Sequence, residues 1–597
     1  MTGRLPGPDA QSLARVQSLL NQGQLEPAAE ILRCMIARDA RSAIAQSLLG
    51  AVLGQQGRHV EAIEHLRKAV ALNPGEPYAQ SNLAGALYAI GEYDAAIEAA
   101  RQALRSAPKF VPALCNLGQS CLMAGRISEA RDALERARQI EPNSPFLSTP
   151  SARLHTELGD HQTAIAMHRK ATASNPTDPI AHSLLLCAMN YSDAVTQKDI
   201  FETALKTPLR RSNPPAPRGP ATASEAHRKL RVGFVSPDLR RHSVGYFLLP
   251  LIEHLDRRKV SAICYSDTLQ PDTMTEKFRA VADEWRASGQ LRGEALAQQI
   301  RADRIDILVD LCGHWVHNRL AVFAQRPAPL QISWLGYPNT TGLSTIDYRI
   351  TDEIADPPGD GDALHTETLL RIPAPFVCYG GSMPTPDTAP PPCLRKGAVT
   401  FGSFNNLAKL SDSTLRLWAR ILQAVPGSGL LLKSGGAGDA EVQRSFGRRL
   451  AGHGIDPARI QWLAWRGTTE EHLSAYANMD VALDPFPYNG TTTTCEALWM
   501  GVPVVTLRGD RHAGRVSASL LSAAGFPEWV ATTEAQYVET AVRLAADTAG
   551  LAALRQSLRA RMTASALRDG AGFARRFQAA LRTVWANHCA GLPATRN

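Results

Sequence analysis

The stretch Asp480-Val-Ala-Leu-Asp484, followed by Tyr488-Asn-Gly-Thr-Thr-Thr-Thr-Cys-Glu-Ala-Leu-Trp-Met500 and Gly501-Val-Pro-Val-Val-Thr506, decides the fold. Its first and last segments are short apolar runs that predict buried strands, and residues 495–500 predict a helix. The polar cluster therefore lies where a strand ends and a helix begins. Hydroxyls and free backbone N–H groups at such a point attract anions, phosphates above all. A threonine-rich N-cap without any ligand is the alternative.

Strand–helix alternation extends from this stretch over two thirds of the chain. It predicts an α/β fold with two doubly wound parallel sheets, one in residues 230–382 and one in residues 398–590, separated by a proline-rich break at 383–397. Two facing sheets leave a cleft at their carboxyl ends, where open α/β folds bind ligands. The predicted strands are 230–236, 260–265, 305–311, 330–335 and 348–351, then 398–403, 429–433, 460–463, 480–484 and 503–507, with helices such as 274–285 and 293–302 between them.

The N-terminal third repeats every 34 residues. A glycine recurs at this interval, and an alanine follows each glycine five positions later; they are Gly23, Gly57, Gly91, Gly125 and Gly159, then Ala28, Ala62, Ala96, Ala130 and Ala164. This is the tetratricopeptide period, in which the glycine ends the first helix of a pair and the alanine lets the two helices pack closely. We therefore expect an all-α superhelix over residues 10–206, and a proline-rich connector over 207–229.

The concave surface of such a superhelix commonly holds an extended peptide. Asn82 and Asn116 occupy equivalent positions of two repeats. An asparagine amide can bond both the N–H and the C=O of a peptide, so a short ladder is one interpretation. An ordinary solvated polar face is the other.

Composition narrows the class of protein. The chain has 597 residues, 44% of them hydrophobic and 20% charged, with a formal net charge of +8. These values are ordinary for a globular protein, and we expect neither nucleic acid nor membrane as a partner. The first ten residues lack the apolar core of a signal peptide, and no run is long enough to span a bilayer. Ten cysteines without a Cys-x-x-Cys pair suit a reducing cytoplasm.

Three side chains in loops or at helix starts are candidates for chemistry. Lys409 follows the first strand of the second half, in a loop with Asn405 and Asn406, and an ammonium there would stabilise a leaving diphosphate. His242 is a candidate general base, since histidine titrates near neutrality. His472 is a candidate for stacking on a nucleobase. For each of the three, a solvated surface side chain is the alternative.

Metal binding is considered and set aside. His314 and His317 have a spacing that permits a metal, but no third ligand is evident. The acidic pair in Asp360-Gly-Asp362 lies in a loop rich in proline and glycine, and it predicts a turn. We expect no metal and no cofactor.

Six ordered motifs resemble glycosyltransferase family 41, the tetratricopeptide-linked protein O-GlcNAc transferases and their plant SPINDLY-type relatives. The motifs are Leu230-Arg-Val-Gly-Phe-Val-Ser-Pro-Asp238, Arg326-Pro-Ala-Pro-Leu-Gln331, Trp334-Leu-Gly-Tyr-Pro338, Asp347-Tyr-Arg-Ile-Thr-Asp352, Phe404-Asn-Asn-Leu-Ala-Lys409 and Asn489-Gly-Thr-Thr-Thr-Thr-Cys-Glu496. The resemblance implies a GT-B fold, two facing Rossmann-like halves. It also implies transfer of a sugar from a nucleotide diphosphate to Ser or Thr of proteins, with inversion and without a catalytic metal.

The resemblance also implies roles for single residues. Lys409 would contact the donor phosphates, and Thr492 and Thr493 would hold the diphosphate at the helix start. Glu496, predicted in the first turn, would accept from the ribose. His472 matches a base-stacking histidine, and Asn406 joins the donor-binding set. His242 matches a histidine considered as the catalytic base, and the rival to that role is assistance by the donor phosphate.

Some positions depart from the animal O-GlcNAc transferases, which have His-Thr-Thr where this chain has Thr491-Thr-Thr493, Gln at Asn406 and Lys at Thr469. Two stretches, 336–342 and 401–406, are closer to the SPINDLY type, whose donor is GDP-fucose. The leading hypothesis is an inverting protein O-GlcNAc transferase that uses UDP-GlcNAc and binds protein or peptide acceptors through its repeats. The alternatives are a protein O-fucosyltransferase using GDP-fucose, an Asn-linked glycosyltransferase, and an inactive tetratricopeptide scaffold.

Overall fold

The computed structural model describes residues 8–211, 225–359, 361–381, 384–464 and 467–592. Most of the predicted connector, Asp360 and Met383 lie outside the described residues, as do the first seven residues. The chain forms two compact units: residues 1–154 with 290–292, and residues 155–289 with 293–597. None of the helices in the described part of the chain combines the length and the apolar composition that crossing a bilayer requires.

The first unit consists of paired antiparallel helices. Gly23, Gly57, Gly91 and Gly125 all have a positive φ, between 70° and 84°, and each ends the first helix of its pair, as predicted. The helices are α1 (Pro8–Asn21), α2 (Leu25–Arg38), α3 (Ala43–Gln55), α4 (His59–Leu72), α5 (Pro77–Ala89), α6 (Tyr93–Ser106), α7 (Val111–Met123), α8 (Ile127–Ile140) and α9 (Ser148–Glu157), the last of which contains the division between the units.

The repeat alanines pack as their spacing predicts. Ala28, Ala62, Ala96 and Ala130 have no exposed surface, because each lies where the second helix of a pair meets the first. Asn116 is less available than the ladder hypothesis requires. Its amide nitrogen donates to the backbone oxygen of Ser81 at 2.9 Å, so this donor is used between neighbouring repeats.

The second unit begins with helices that still follow the 34-residue phase. They are α10 (His161–Ser174), α11 (Pro179–Tyr191) and α12 (Gln197–Ala204). Gly159 and Ala164 belong here, so the fifth repeat lies in the same unit as the two sheets.

The first sheet has seven parallel strands in the order β3-β2-β1-β4-β5-β6-β7. The strands are β1 (Leu230–Ser236), β2 (Val260–Ser266), β3 (Glu284–Ala287), β4 (Ile307–Asp310), β5 (Leu330–Ser333), β6 (Tyr348–Thr351) and β7 (Thr368–Arg371), with helices α13 (Ser243–His254), α14 (Thr273–Val281), α15 (Gly293–Ala302) and α16 (Leu320–Phe323). The order reverses between β1 and β4, which makes their carboxyl ends the expected ligand position.

The second sheet has six parallel strands in the order β10-β9-β8-β11-β12-β13. They are β8 (Thr400–Ser403), β9 (Gly429–Ser434), β10 (Ile460–Ala464), β11 (Val481–Leu483), β12 (Val504–Leu507) and β13 (Val530–Ala531). The helices are α17 (Cys393–Lys396), α18 (Asp412–Ala424), α19 (Ala440–Gly452), α20 (Thr469–Ser474), α21 (Thr492–Trp499), α22 (Val516–Ala523), α23 (Glu534–Ala546), α24 (Thr548–Thr563) and α25 (Gly570–Cys589). Here the order reverses between β8 and β11. The predicted α/β class and the two parallel sheets are confirmed.

Three strands were not predicted, and all three are edge strands. The predicted helix 274–285 is wrong at its end, because α14 stops at Val281 and β3 follows it. The other two are β7, which carries few apolar residues, and β13, which is very short. An edge strand is buried less than a central one, so its sequence lacks the apolar run from which strands are predicted.

The last helix returns to the first sheet. Side chains of α25 pack on Trp334, which follows β5: the ring centroids of Phe573 and Phe577 lie 6.0 and 5.0 Å from that of the tryptophan. Arg582 donates to the backbone oxygen of Ala226, just before β1. Helix α25 therefore stabilises the first sheet.

Candidate active site

A buried carboxylate stabilises the loop between β11 and α21. Asp484 accepts the backbone N–H of Gly490 and the hydroxyl of Thr506, both at 2.7 Å. Burial raises the pKa of Asp484 to about 6, and these hydrogen bonds oppose the rise. A Cβ at Gly490 would clash with Thr493 Oγ1 and lie 2.8 Å from Thr494 Oγ1, so a side chain there would displace these hydroxyls.

Helix α21 starts at Thr492, three residues earlier than the sequence predicts. In the described part of the chain, no side chain caps this helix, and its N-cap residue Thr491 has φ −120° and ψ −73°. Thr492 Oγ1 is buried and has no hydrogen-bond partner among the described residues. The first N–H groups of a helix have no intrahelical acceptor, so this end presents several donors to one anion.

Lys409 lies against the loop that leads into α21. Its Nζ donates to the backbone oxygen of Asn489 at 2.7 Å and lies 4.3 Å from the centre of the Tyr488 ring. The side chain is partly buried, and desolvation lowers the pKa of Lys409 to about 8, while Asp484 opposes the shift. The ammonium is therefore charged at neutral pH and lies against the loop that precedes the uncapped helix end.

Two neighbouring asparagines have different environments. Asn405 is buried, and its Oδ1 accepts the hydroxyl of Thr493 at 2.9 Å, which joins the Lys409 loop to α21. Asn406 is exposed, and its Oδ1 accepts the backbone N–H of Ala408 within its own loop. The structure thus brings Asn405, which the sequence did not single out, to the helix start. A donor contact for Asn406 stays a prediction.

His472 and Glu496 are joined in one buried chain of polar groups. His472 Nε2 lies 2.9 Å from Glu496 Oε2, and His472 Nδ1 lies 2.5 Å from Lys433 Nζ. A lysine ammonium only donates and a carboxylate only accepts, so the neutral ring carries its proton on Nε2. Glu496 lies in the second turn of α21, which corrects the prediction of the first turn.

Lys433 is a site residue that the sequence did not reveal. It is 5% exposed at the carboxyl end of β9, and its ammonium lies 5.2 Å from the centre of the Phe404 ring. Burial lowers the pKa of Lys433 to about 8, and the nearby Glu496 opposes the shift. The lysine at the end of an apolar run, Gly429-Leu-Leu-Leu-Lys433, was the available signal.

His242 caps α13 on the opposite half. Its Nδ1 accepts the backbone N–H of Val244 at 3.3 Å and lies 3.5 Å from Asp238 Oδ2, with 43% of the side chain exposed. An accepting Nδ1 leaves the proton on Nε2, so the observed geometry favours His242 as a hydrogen-bond donor. A general base needs the other tautomer.

The histidine pair considered for metal binding is separated by its environment. His314 is buried, with Nδ1 2.8 Å from Ser183 Oγ and Nε2 2.9 Å from the backbone oxygen of Thr341, so both nitrogens are used. His317 is exposed and has a φ of 66°. Within the described ranges, no group of three or more His, Cys, Asp or Glu side chains could hold a metal ion. Asp362 pairs with Arg371 at 2.8 Å.

Comparison with known proteins identifies the family. The profile of glycosyl transferase family 41 matches residues 215–379 and 392–577, and tetratricopeptide repeat profiles match residues 13–77, 54–117 and 91–154. The chain belongs to glycosyl transferase family 41. Its recognition from sequence motifs is thereby confirmed.

Two plant relatives of this family 41 chain carry the same name, probable UDP-N-acetylglucosamine–peptide N-acetylglucosaminyltransferase SPINDLY. The protein of Solanum lycopersicum is 42% identical over 412 residues, which are 68% of this chain and 44% of the relative. The protein of Oryza sativa subsp. japonica is 44% identical over 376 residues, 62% of this chain and 40% of the relative. The chain spans less than half the length of these relatives.

A solved structure extends the match to most of the family 41 chain. A mutant of the Thermobaculum terrenum O-GlcNAc transferase superposes with a TM-score of 0.81 at 35% identity, covering 86% of this chain and 98% of that one. The helical repeats followed by two parallel-sheet domains therefore match the GT-B architecture of that transferase, as the sequence predicted.

Hydrogen bonds between buried side chains join the two halves of this family 41 fold. His512 Nδ1, which follows β12, lies 2.7 Å from Asp356 Oδ2, which follows β6. Ser519 of α22 donates to Asp352 at 2.5 Å. Both carboxylates and His512 are buried, so these polar contacts between the halves are shielded from water. These ties involve residues that the sequence analysis did not name.

Proposed function

We propose that the chain is an inverting protein O-glycosyltransferase that transfers N-acetylglucosamine from UDP-GlcNAc to Ser or Thr of protein acceptors. One observation carries the proposal. The Lys409 ammonium lies against the loop that leads into the uncapped start of α21, where the Thr492 hydroxyl lacks a partner among the described residues. A diphosphate would accept from these donors.

The chemistry follows from this arrangement. The acceptor oxygen attacks C1 of the sugar from the face opposite the diphosphate, the bond from C1 to the phosphate oxygen breaks, and UDP leaves with the electron pair. Lys409 stabilises the charge that develops on the leaving oxygen, and the amides at Thr492 and Thr493 hold the phosphates. The acceptor hydroxyl passes its proton to a phosphate oxygen of the leaving diphosphate, and His242 on the opposite half orients the acceptor through Nε2–H.

Donor selection is assigned to the buried chain of Lys433, His472 and Glu496. Glu496 would accept from the ribose, and His472 would contact the base. The hydrogen bonds among the three hold the carboxylate and the ring in place before the donor arrives, which lowers the entropic cost of binding. No metal or further cofactor takes part in this scheme.

Protein acceptors are proposed to bind the repeat superhelix. Tetratricopeptide profiles cover residues 13–154, and the relatives are named as peptide transferases. We also propose a cytoplasmic location, because none of the ten cysteines, all within the described residues, forms a disulfide, and nine of them are buried.

The donor is the part of the proposal to test first. Isothermal titration of the full chain with UDP and with GDP, followed by transfer assays with UDP-GlcNAc and GDP-fucose on a peptide library, separates the two donors. UDP binding and a mass gain of N-acetylhexosamine on Ser or Thr support the proposal. Binding of GDP alone, with fucose transferred, would replace UDP-GlcNAc by GDP-fucose, the donor that the SPINDLY-like stretches favour.

A further inference from the structure

The loop that carries Lys409 is supported by helices outside both sheets. Lys409 lies in the turn between β8 and α18, and α10 and α11, which continue the repeat phase, contact this turn and its neighbours. All of these elements belong to the same compact unit. The contacts are of two kinds, a hydrogen bond and a stack of rings.

The hydrogen bond comes from the first residue of α10. His161 Nε2 lies 2.8 Å from the backbone oxygen of Ala408, the residue before Lys409. A carbonyl only accepts, so Nε2 carries the proton. His161 is 7% exposed, and burial lowers the pKa of His161, so the ring is neutral at neutral pH and the bond does not change with small shifts in pH.

The ring stack ends on the same ammonium. The centroid of Tyr191, the last residue of α11, lies 6.1 Å from that of His161 and 5.3 Å from that of Tyr488. The Tyr488 ring in turn lies 4.3 Å from Lys409 Nζ. His161 therefore reaches the lysine by two routes, through the backbone at Ala408 and through the two tyrosine rings.

A further pair of contacts fixes the residues after the lysine. Asp193, just beyond α11, accepts the backbone N–H of Ser413 at 3.2 Å, and Arg449 donates to the backbone oxygen of Leu410 at 3.1 Å. The turn is thus held on both sides of Lys409. In a parallel-sheet fold such a turn is otherwise a surface loop with freedom to move.

We propose that the start of α10 and the end of α11 are part of the donor site, and that His161 and Tyr191 are positioning residues for Lys409. The helices that continue the repeats then act on the leaving group, in addition to any role of the superhelix in binding acceptors. This inference rests on the proposed function for the catalytic role of Lys409. The positioning of Lys409 by His161 and Tyr191 can be measured without turnover.

The test compares full-length variants at His161. His161→Leu removes the hydrogen bond, whereas His161→Gln keeps an N–H at a similar reach. His182→Leu is the matched control, because His182 is 6% exposed and its Nε2 lies 2.9 Å from the backbone oxygen of Thr203 in α12, not from a residue of the Lys409 turn. We expect His161→Leu to lower kcat about tenfold with the donor KM within twofold, and the other two variants to stay within threefold of wild type.

A second measurement does not depend on activity. Competitive acylation of the amine across a pH series, read by peptide mass spectrometry, gives the pKa of Lys409 without donor or acceptor. We expect this pKa to move up by about one unit in His161→Leu, because a looser turn admits water, and to stay put in His161→Gln and His182→Leu. Tyr191→Leu should repeat the rise and Tyr191→Phe should not.

The outcomes separate the two claims. An unchanged Lys409 pKa in both His161→Leu and Tyr191→Leu, with folding intact by thermal unfolding, overturns the positioning role. If wild type transfers no sugar while the pKa shifts as expected, the proposed function fails and the positioning stands. Should His161→Leu not fold, Tyr191→Leu against Tyr191→Phe decides.

Discussion

The carboxyl ends of the two sheets hold their polar side chains in different ways. On the second sheet, His472, Glu496 and Lys433 are at most 8% exposed and bonded to one another. On the first sheet, 43% of the His242 side chain is exposed, and its contacts with the backbone of Val244 and with Asp238 both involve Nδ1. The polar groups of the second sheet are therefore in place before a ligand arrives, whereas the first sheet leaves its histidine open to one.

Under the proposed function, the physical reason lies in what each side has to accommodate. A small charged donor is bound best by dipoles and charges that are already in place, because no reorganisation is needed when the bond breaks. A protein acceptor is large and variable, so the side that meets it remains accessible. The following predictions test this contrast, from the largest expected effect to the smallest.

Removing the ammonium should cause the largest loss. We expect Lys409→Ala to lower kcat by about a hundredfold or more, roughly 3 kcal/mol of transition-state stabilisation, because the leaving diphosphate loses its cation. Steady-state transfer assays measure it. Lys396→Ala, an exposed lysine of the same half, is the control and should match wild type. A Lys409→Ala enzyme at full rate would contradict the preorganised donor side.

The pH dependence follows from the lowered pKa of Lys409, about 8. The ammonium is charged below this value and neutral above it, so kcat/KM for the donor should fall as pH rises through 8 and be about tenfold lower at pH 9 than on the plateau. The fall should be absent from the residual activity of Lys409→Ala. If it persists there, the titrating group is another one, and Lys433→Met would show whether it is Lys433.

Neutralising the buried carboxylate should affect binding rather than turnover. We expect Glu496→Gln to raise the donor KM about tenfold with kcat nearly unchanged, because a charge-assisted hydrogen bond becomes a neutral one and Lys433 loses its counter-charge. Glu534→Gln is the control, since Glu534 pairs with Arg416 at the surface with 43% of each side chain exposed. A loss confined to kcat would place Glu496 in the chemical step instead.

The smallest effect is expected on the open side. His242→Gln keeps a side-chain N–H donor, so its rate should stay within about threefold of wild type if the observed tautomer is the working one. A general base contributes about a hundredfold or more, and glutamine cannot supply it. A loss of that size would make His242 the base and would remove the contrast between the two sides.

The sequence by itself determined the architecture and the family. The 34-residue recurrence of glycine and alanine follows from the geometry of a helix pair, and buried parallel strands are written as apolar runs. Both are local patterns, and they do not depend on distant residues. The three edge strands were not predicted because they lack such an apolar run. The motif at 489–496 located the start of α21 to within three residues, because glycine and threonine mark that turn.

Only the tertiary structure decided which side chains meet. His472 and Glu496 are 24 residues apart, Asn405 and Thr493 are 88 apart, and His161 and Ala408 are 247 apart. No local pattern pairs residues over such distances, since the pairing depends on strand order and on which helices cover the turn. The same holds for the lowered pKa of Lys409, because desolvation is a property of the packed surroundings and not of the residue type.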